Sequence, residues 1–320
     1  MSGLILGALL IDLMVGDPRW IPHPVVLMGK LISRLEAVVR RATASPWGLR
    51  LGGVLLVILV CLSTYWATGL LIQLAGRINP YLGMAVHLWL LSTTLAIKSL
   101  TLHARAVAIP LAKGDLPLAR RKLSLIVGRD TEHLEQGEIA RAAVETVAEN
   151  TVDGIVAPLF FAFIGGAPLA MAYKAVNTMD SMLGYRDQRY RYLGWAAARL
   201  DDLANYLPAR LAGLFYLMFS PLTPGRFKGV LRGILQDAPG HPSPNSGIPE
   251  AAVAGAFKIQ LGGTNYYRGE ASHRPKMGAG TFPLPEHIQK ALNLTYGVTL
   301  LSTLAGILIS YLLKVADYLP

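Results

Sequence analysis

Apolar residues fall along this chain in long uninterrupted runs. From Gly53 to Gly76 there is no Asp, Glu, Lys, Arg or His, and Ala291 to Leu313 is equally clean. A helix needs about 20 such residues to cross roughly 30 Å of hydrocarbon, so both runs predict full spans. Tyr81 to Ile97 is shorter, and it joins the first run through Arg77-Ile78-Asn79-Pro80, which predicts a tight helical hairpin. Gly154 to Tyr173 is uncharged too, but Gly165-Gly166-Ala167-Pro168 breaks it. Gly3 to Val15 has no basic leader, carries Asp12, and meets Gly16-Asp17-Pro18 instead of a small-residue cleavage site. It reads as a retained, short membrane segment. The pattern predicts an all-α, polytopic integral membrane protein, a single membrane-embedded domain over residues 1–320.

Two polar regions separate the apolar ones. Residues 98–153 read as amphipathic helices, basic around Leu111–Ile126, with a well-formed helix from Glu138 onward. Residues 224–290 are rich in glycine and proline and read as a long irregular excursion with few regular elements. Basic residues flank the 154–173 segment on both sides, so a simple crossing would leave many charges outside. A re-entrant pair of half-helices avoids this; the alternative is a kinked crossing. Non-helical backbone at membrane depth is tolerated only when buried in protein or lining a polar cavity, and such breaks often mark binding sites.

Composition and charge narrow the picture. Of 320 residues, 52% are hydrophobic and 16% charged, against about 25% charged in soluble domains, which argues against a soluble protein with buried helices. The net charge is +10. Its placement is unequal, because residues 17–52 and 98–141 are basic whereas the Arg77–Pro80 turn holds one arginine. The positive-inside rule puts residues 17–52, 98–153 and 224–290 in the cytoplasm and that turn outside a cell membrane. No zinc finger or aromatic-interleaved basic stripe is present, so nucleic acid is not an expected partner. The single cysteine, Cys61, excludes an intramolecular disulfide and a cysteine-based metal site.

The polar residues cluster in a way a solvated surface does not require. Glu145, Glu149 and Asp153 stand at i, i+4 and i+8, one stripe on a helix. No basic residue lies between Arg141 and Lys174, so the stripe lacks a local counter-charge. Mg²⁺, bound by a few carboxylates and substrate phosphates, would supply one; a solvated helix face is the alternative. Lys174, Asn177 and Asp180 follow the broken segment at one-turn spacing, and ionisable groups at the membrane are functional candidates. Arg199, Asp201, Asp202, Asn205 and Arg210 then combine paired acids with arginines, suited to a metal-bound phosphate, or to internal pairs such as Arg199 with Asp202. Arg129, in Val127-Gly128-Arg129-Asp130-Thr131, could reach an anion from a helix start capped by Asp130 or Thr131. Ile259–Gly269 is a glycine-rich loop without the Lys-Ser/Thr of a P-loop. His23, between two prolines, reads as structural. The residues point to a membrane-embedded, Mg²⁺-dependent enzyme acting on a phosphorylated substrate.

These blocks also resemble a known family. Gly16-Asp17-Pro18 with Pro22-His23-Pro24, IVGRDT (126–131), ETVAENTVDG (145–154), GGAPLAMAYKAVNTMDSM (165–182) and ARLDDLANYLPARL (198–211), with Ser243-Pro244-Asn245, Glu250 and Gln260–Gly263, resemble the adenosylcobinamide-phosphate synthases, the CbiB/CobD membrane proteins of adenosylcobalamin assembly. The resemblance implies an ATP-dependent ligase that joins the corrinoid adenosylcobyric acid to aminopropanol phosphate or a related amino-alcohol phosphate. It implies work at the cytoplasmic face of the inner membrane bilayer, beside other enzymes of late cobalamin assembly. On this reading Glu149, Lys174 and Asp180 are catalytic candidates, and Arg129, Asn150, Arg199, Asp201, Asn205 and Arg210 are substrate-binding candidates. Glu145, Glu149, Asp153, Asn177, Asp180 and Asp202 are metal ligands. One polar cavity is expected to gather Glu149, Asp153, Lys174, Asn177, Asp180, Asp201, Asp202 and Asn205. The ATP site has no recognisable motif.

Two other classes remain. Asp201-Asp202-Leu203-Ala204-Asn205 and Asn177–Asp180 resemble the aspartate-rich diphosphate sites of membrane prenyltransferases, although the spacing is wrong for two D-x-x-x-D motifs. A transporter would need charged residues along full-length spans, whereas these acids sit at segment ends.

Overall fold

The computed structural model describes residues 1–18, 20, 22–185, 187–267 and 269–316. The chain is largely helical, with one two-stranded sheet. Among the described residues, four segments are long and apolar enough to cross a membrane: Pro46–Ile78, Pro80–Ala112, Gln136–Leu183 and Pro285–Val315. The packing divides into two compact units, residues 1–96, 157–205 and 305–320, and residues 97–156 and 206–304.

In the first unit, α1 (Ser2–Met14), α2 (Pro24–Ala42), α3 (Pro46–Ile78) and α4 (Pro80–Ser92) precede α8 (Ala157–Leu183) and α9 (Trp195–Ala204). Three of these helices start on the same device, a side-chain cap followed by proline. His23 Nδ1 accepts from Val25 N (3.2 Å), Ser45 Oγ from Gly48 N (3.0 Å) and Asn79 Oδ1 from Tyr81 N (2.8 Å). Proline at the first helical position has no N–H to satisfy and carries a φ already set for the helix. The helix α3 packs on α4, α8 and α9, and α2 packs on α3 and α8.

The run Tyr81–Ile97 is not one helix. It stops at Ser92, where the Thr93 and Thr94 hydroxyls donate to the Leu90 (2.8 Å) and Leu91 (2.7 Å) carbonyls, an alternative to continuing the helix. The break in α8 is sharper. Gly165 (φ −139°, ψ 19°) and Gly166 (φ 64°, ψ −158°) leave helical geometry altogether, and Gly166 adopts a region that only glycine enters cheaply. The chain turns back there. The rings of Phe161 and Tyr173 stack with centroids 5.0 Å apart, although twelve residues of straight helix would separate them by about 18 Å. The chain therefore folds back on itself at this break, with Gly166 packed near Met1 and His87.

In the second unit, α5 (Ile97–Ala112), α6 (Leu116–Leu123) and α7 (Gln136–Thr151) lead into a π-helical turn at Val152–Val156. Then come α10 (Tyr206–Phe219), α11 (Arg226–Arg232), α12 (Gly247–Phe257), the strands β1 (Leu261–Tyr267) and β2 (Glu270–Met277), and α13 (Pro285–Ala316), whose last residues belong to the first unit. Helix α7 opens on a capping box between Glu135 and Glu138. The predicted helix start at Asp130 or Thr131 does not form. Asp130 instead ties its loop to the sheet, its N–H donating to the Tyr266 carbonyl (2.8 Å) and its carboxylate accepting from Gly269 N (2.7 Å).

Residues 224–290 depart most from expectation. They are ordered around α12, which is buried along almost its whole length. Helix α11 approaches so closely that a Cβ at Gly255 would lie 2.2 Å from the Gly229 carbonyl oxygen. Their glycines and prolines serve tight packing here, not irregularity. The stretch read as a glycine-rich loop is the first strand of an antiparallel hairpin; Arg268 within it lies outside the described residues.

Candidate functional site

The second unit holds a buried network of acids and arginines built around α7. Arg141, Glu145 and Glu149 project from one helix face at four-residue spacing. Opposite them the register of β1 slips between Leu261 and Gly263. At this bulge Gly262 and Gly263 take φ of 77° and 94°, and the distorted backbone aims both polar groups of Gly262 at α7. Gly262 N–H donates to Glu145 Oε1 (2.8 Å), and its carbonyl accepts from Arg141 Nη1.

Arg129 comes in from the loop before α7. Its Nη2 donates to Glu145 Oε2 at 2.7 Å and its Nη1 to Asn265 Oδ1 at 2.8 Å. Asn265 Oδ1 also accepts from Arg141 Nη2 (3.1 Å). The stripe therefore does have a counter-charge, supplied by Arg129 through tertiary folding, and both oxygens of Glu145 are occupied. Asp153 lies in the π-helical turn, where the wider winding takes it off the regular α-helical stripe. Asn150 donates back to the Thr146 carbonyl (2.9 Å).

Glu250, on the first turn of α12, is fully buried. Its neighbours are His241 Nε2 at 3.8 Å and Arg274 Nη1 at 3.9 Å, and neither of its oxygens has a hydrogen-bond partner. Burial, then the nearby Glu145 and Glu149 carboxylates, push the Glu250 carboxyl well above the usual carboxylate range. Burial likewise lowers His241. Next to them Ser246 Oγ donates to Glu149 Oε1 (3.1 Å). Arg210 stacks on Tyr206, 3.4 Å from the ring centroid, and donates to Asn245 Oδ1 (2.9 Å).

The first unit carries the other group. Asp201 on α9 accepts from Asn205 Nδ2 at 3.0 Å and, at the edge of hydrogen-bonding range, from Asn177 Nδ2 at 3.5 Å. Tyr173 Oη donates to Asn205 Oδ1 (2.8 Å) and so holds that amide with its nitrogen toward Asp201. Desolvation first, and the Asp180 carboxylate second, raise Asp201 to about 7, against the two amide hydrogen bonds that lower it. Lys174 and Asp180 are half-buried on the same helix. Arg199 pairs with Asp202 at 3.7 Å, with the arginine side chain 69% exposed. The candidates thus form two groups, Arg129, Glu145 and Glu149 in one unit, and Asn177, Asp180, Asp201 and Asn205 in the other.

A divalent cation can be tested against these donors. Among the described residues no three His, Cys, Asp or Glu side chains converge into a preformed cage. The second unit nevertheless offers oxygen-only ligands of the kind Mg²⁺ takes, since Glu149 accepts only one hydrogen bond and Glu250 none. Mg²⁺ commonly takes one or two carboxylates and leaves its other positions to water and phosphate, and its charge would draw off the Glu250 proton. The residues fit that ion. Glu250 mattered to the sequence reading only through resemblance, while His241, Arg274 and Asn265 gave no signal there, because nothing local links them to α7.

Fold and site define a largely helical membrane protein with a buried carboxylate–arginine centre. A family model described as CobD/Cbib protein matches residues 5–295, and the chain belongs to the CobD/CbiB family. It is 49% identical over 317 residues to the cobalamin biosynthesis protein CobD of Geobacter metallireducens, covering 99% of both chains. It is 50% identical over 273 residues to the cobalamin biosynthesis protein CbiB of Salmonella typhimurium, covering 85% of each. Against the CobD protein of Halalkalibacterium halodurans identity is 49% over 278 residues, covering 87% of this chain and 86% of that one. No solved structure matches.

Proposed function

We propose that this protein is the acid–amine ligase of cobalamin assembly, joining the propionate carboxylate of adenosylcobyric acid to the amine of an amino-alcohol phosphate at the expense of ATP. The observation that carries the reading is the match over nearly the whole chain to relatives named as cobalamin biosynthesis proteins. A carboxylate resists attack by an amine until its oxygen becomes a leaving group, and phosphorylation by ATP makes it one. Mg²⁺, when bound, neutralises phosphate charge as that transfer proceeds; Glu149 and Glu250 would hold it. Arg199, mostly exposed and only loosely paired, would take a phosphate in bidentate fashion. Arg129, spent on Glu145 and Asn265, keeps Glu145 fixed instead.

The attacking amine must shed a proton as the amide forms. Purified protein given ATP, Mg²⁺, adenosylcobyric acid and aminopropanol phosphate should yield the amide by mass spectrometry, with ATP consumed in step. Glu149→Gln should lose turnover while staying folded and membrane-inserted. Near-normal activity of that variant at low Mg²⁺ would remove Glu149 from the reaction. For sidedness, a cysteine placed at Asn79 should label from outside the cell, and cysteines at Pro117 or Pro242 should not; the opposite pattern would reverse the orientation.

A further inference from the structure

A basic, aromatic-rich face of the first unit is built from the start of α3 and the segment that leads into α9. Its centre is Arg50, four residues into α3. Its guanidinium carbon lies 6.0, 5.6 and 5.7 Å from the ring centroids of Trp47, Tyr192 and Trp195. Rings stabilise the charge through their π faces but accept no ordinary hydrogen bond. Arg50 makes neither a hydrogen bond nor an ion pair with any described residue, and its Nε is buried without a partner. The Nε–H donor thus has no acceptor among the described residues, and the half-buried guanidinium leaves its Nη donors open to an outside acceptor.

The position of Arg50 along α3 indicates where that acceptor lies. Leu55, Leu59, Leu62, Trp66, Leu70 and Leu74 leave an exposed apolar flank on the helix. Leu55 to Leu74 spans about 28 Å, close to the thickness of a bilayer's hydrocarbon. Arg50 is five residues, about 8 Å, beyond the end of that flank, at headgroup depth. Trp47 is 74% exposed at the same level, as expected of an aromatic belt. The surroundings are cationic: Arg191 lies over the Tyr192 ring (5.6 Å), and Arg40 and Arg189 flank Tyr190 (5.4 and 5.2 Å). Glu36 answers the last two, at 2.8 and 3.4 Å, and leaves Arg50 and Arg191 uncompensated.

We propose that Arg50, within the cage of Trp47, Tyr192 and Trp195, binds the phosphate of an anionic membrane lipid whose acyl chains lie along the apolar flank of α3. A soluble phosphate would answer the fork but not the continuity of the cage with that flank. Guanidinium matches phosphate geometry in a two-point contact that an ammonium cannot reproduce.

Full-length protein should be purified from membranes containing phosphatidylglycerol and phosphatidylethanolamine, and its retained lipid quantified by mass spectrometry. The expected result is enrichment of phosphatidylglycerol in the wild type, a drop of about tenfold in Arg50→Gln, and an intermediate value in Arg50→Lys. Millimolar inorganic phosphate should not displace the lipid. An unchanged phosphatidylglycerol ratio in Arg50→Gln would overturn the proposal, and so would full displacement by inorganic phosphate, which would make this a soluble-anion site. Should Arg50→Gln not fold, Trp47→Leu gives the same reading at an exposed position: partial loss of phosphatidylglycerol supports the site, and wild-type retention overturns it.

Discussion

Arg129 and Glu145, sixteen residues apart in sequence, meet in a buried ion pair at 2.7 Å, with side chains only 7% and 2% exposed. Two charges withdrawn from water to this degree depend on each other. Removing one partner of such a pair commonly costs about 3–5 kcal/mol, whereas replacing both by apolar groups of similar volume can be nearly neutral. Arg129→Met should therefore lower the thermal midpoint sharply, and Arg129→Met combined with Glu145→Leu should recover much of the loss. A single variant as stable as the wild type in detergent would show that the pair is not what holds this loop to α7.

Glu250 should behave differently. Burial and the Glu145 and Glu149 carboxylates push its carboxyl well above the usual carboxylate range, and Glu250→Gln should change stability by less than about 1 kcal/mol in metal-free buffer. Binding of Mg²⁺ to the wild type at pH 7 should release a proton, measurable by calorimetry in buffers of differing ionisation enthalpy. Glu250→Gln should show no such release. Equal proton release from both proteins would place the ion elsewhere.

The α8 hairpin predicts a short-range cross-link. With Cys61 replaced by serine, cysteines at positions 161 and 173 should be bridged by a short bifunctional reagent, because the native rings stack at 5.0 Å. A cysteine pair at 161 and 183 serves as the control that should not react. Gly166→Ala should lower stability by about 1–3 kcal/mol, since alanine must enter a glycine-only region. Failure of the first pair to cross-link would argue for a straight helix.

Asp201 gives a pH signature. Its carboxyl, raised to about 7, lies above the ordinary aspartate value of 3.8, so between these limits the folded chain holds a proton that the unfolded chain has lost. The contribution of this group to stability is thus greatest at low pH, falls as pH rises from about 4 to 7, and levels off above. Asp201→Asn should flatten that part of the profile when unfolding is followed at pH 5, 6, 7 and 8. Parallel profiles for the two proteins would mean that Asp201 titrates normally.

Much of this architecture can be read from the chain directly. A run such as Gly53–Gly76 has few physical outcomes other than a span, and Gly165-Gly166-Ala167-Pro168 carries its own break because glycine reaches the required φ and proline resists continuation. What stays hidden is pairing at long range. Glu145 looks uncompensated until Arg129 folds over it, and Asn265 becomes a two-arginine acceptor only through β1. The excursion at 224–290 looks irregular because glycine and proline weaken any propensity reading, yet Gly229 and Gly255 are there to let two helices touch. Glu250 lies on a helix of otherwise apolar residues, where its lone charge gives no hint of its neighbours.

The bulge at Gly262 has a consequence for assembly. Its amide and its carbonyl face charges of opposite sign on α7, Glu145 and Arg141, and Arg141 also reaches Thr264 and Asn265, so the strand is keyed to the helix at the bulge and just beyond it. Sliding β1 by one position would turn every side chain to the other face and bring a different backbone unit to both charges. An isolated two-stranded hairpin is marginal in water and has little of its own to forbid that slip. The helix thus serves as a template against which the strand finds its alignment, and this sheet is a dependant of α7.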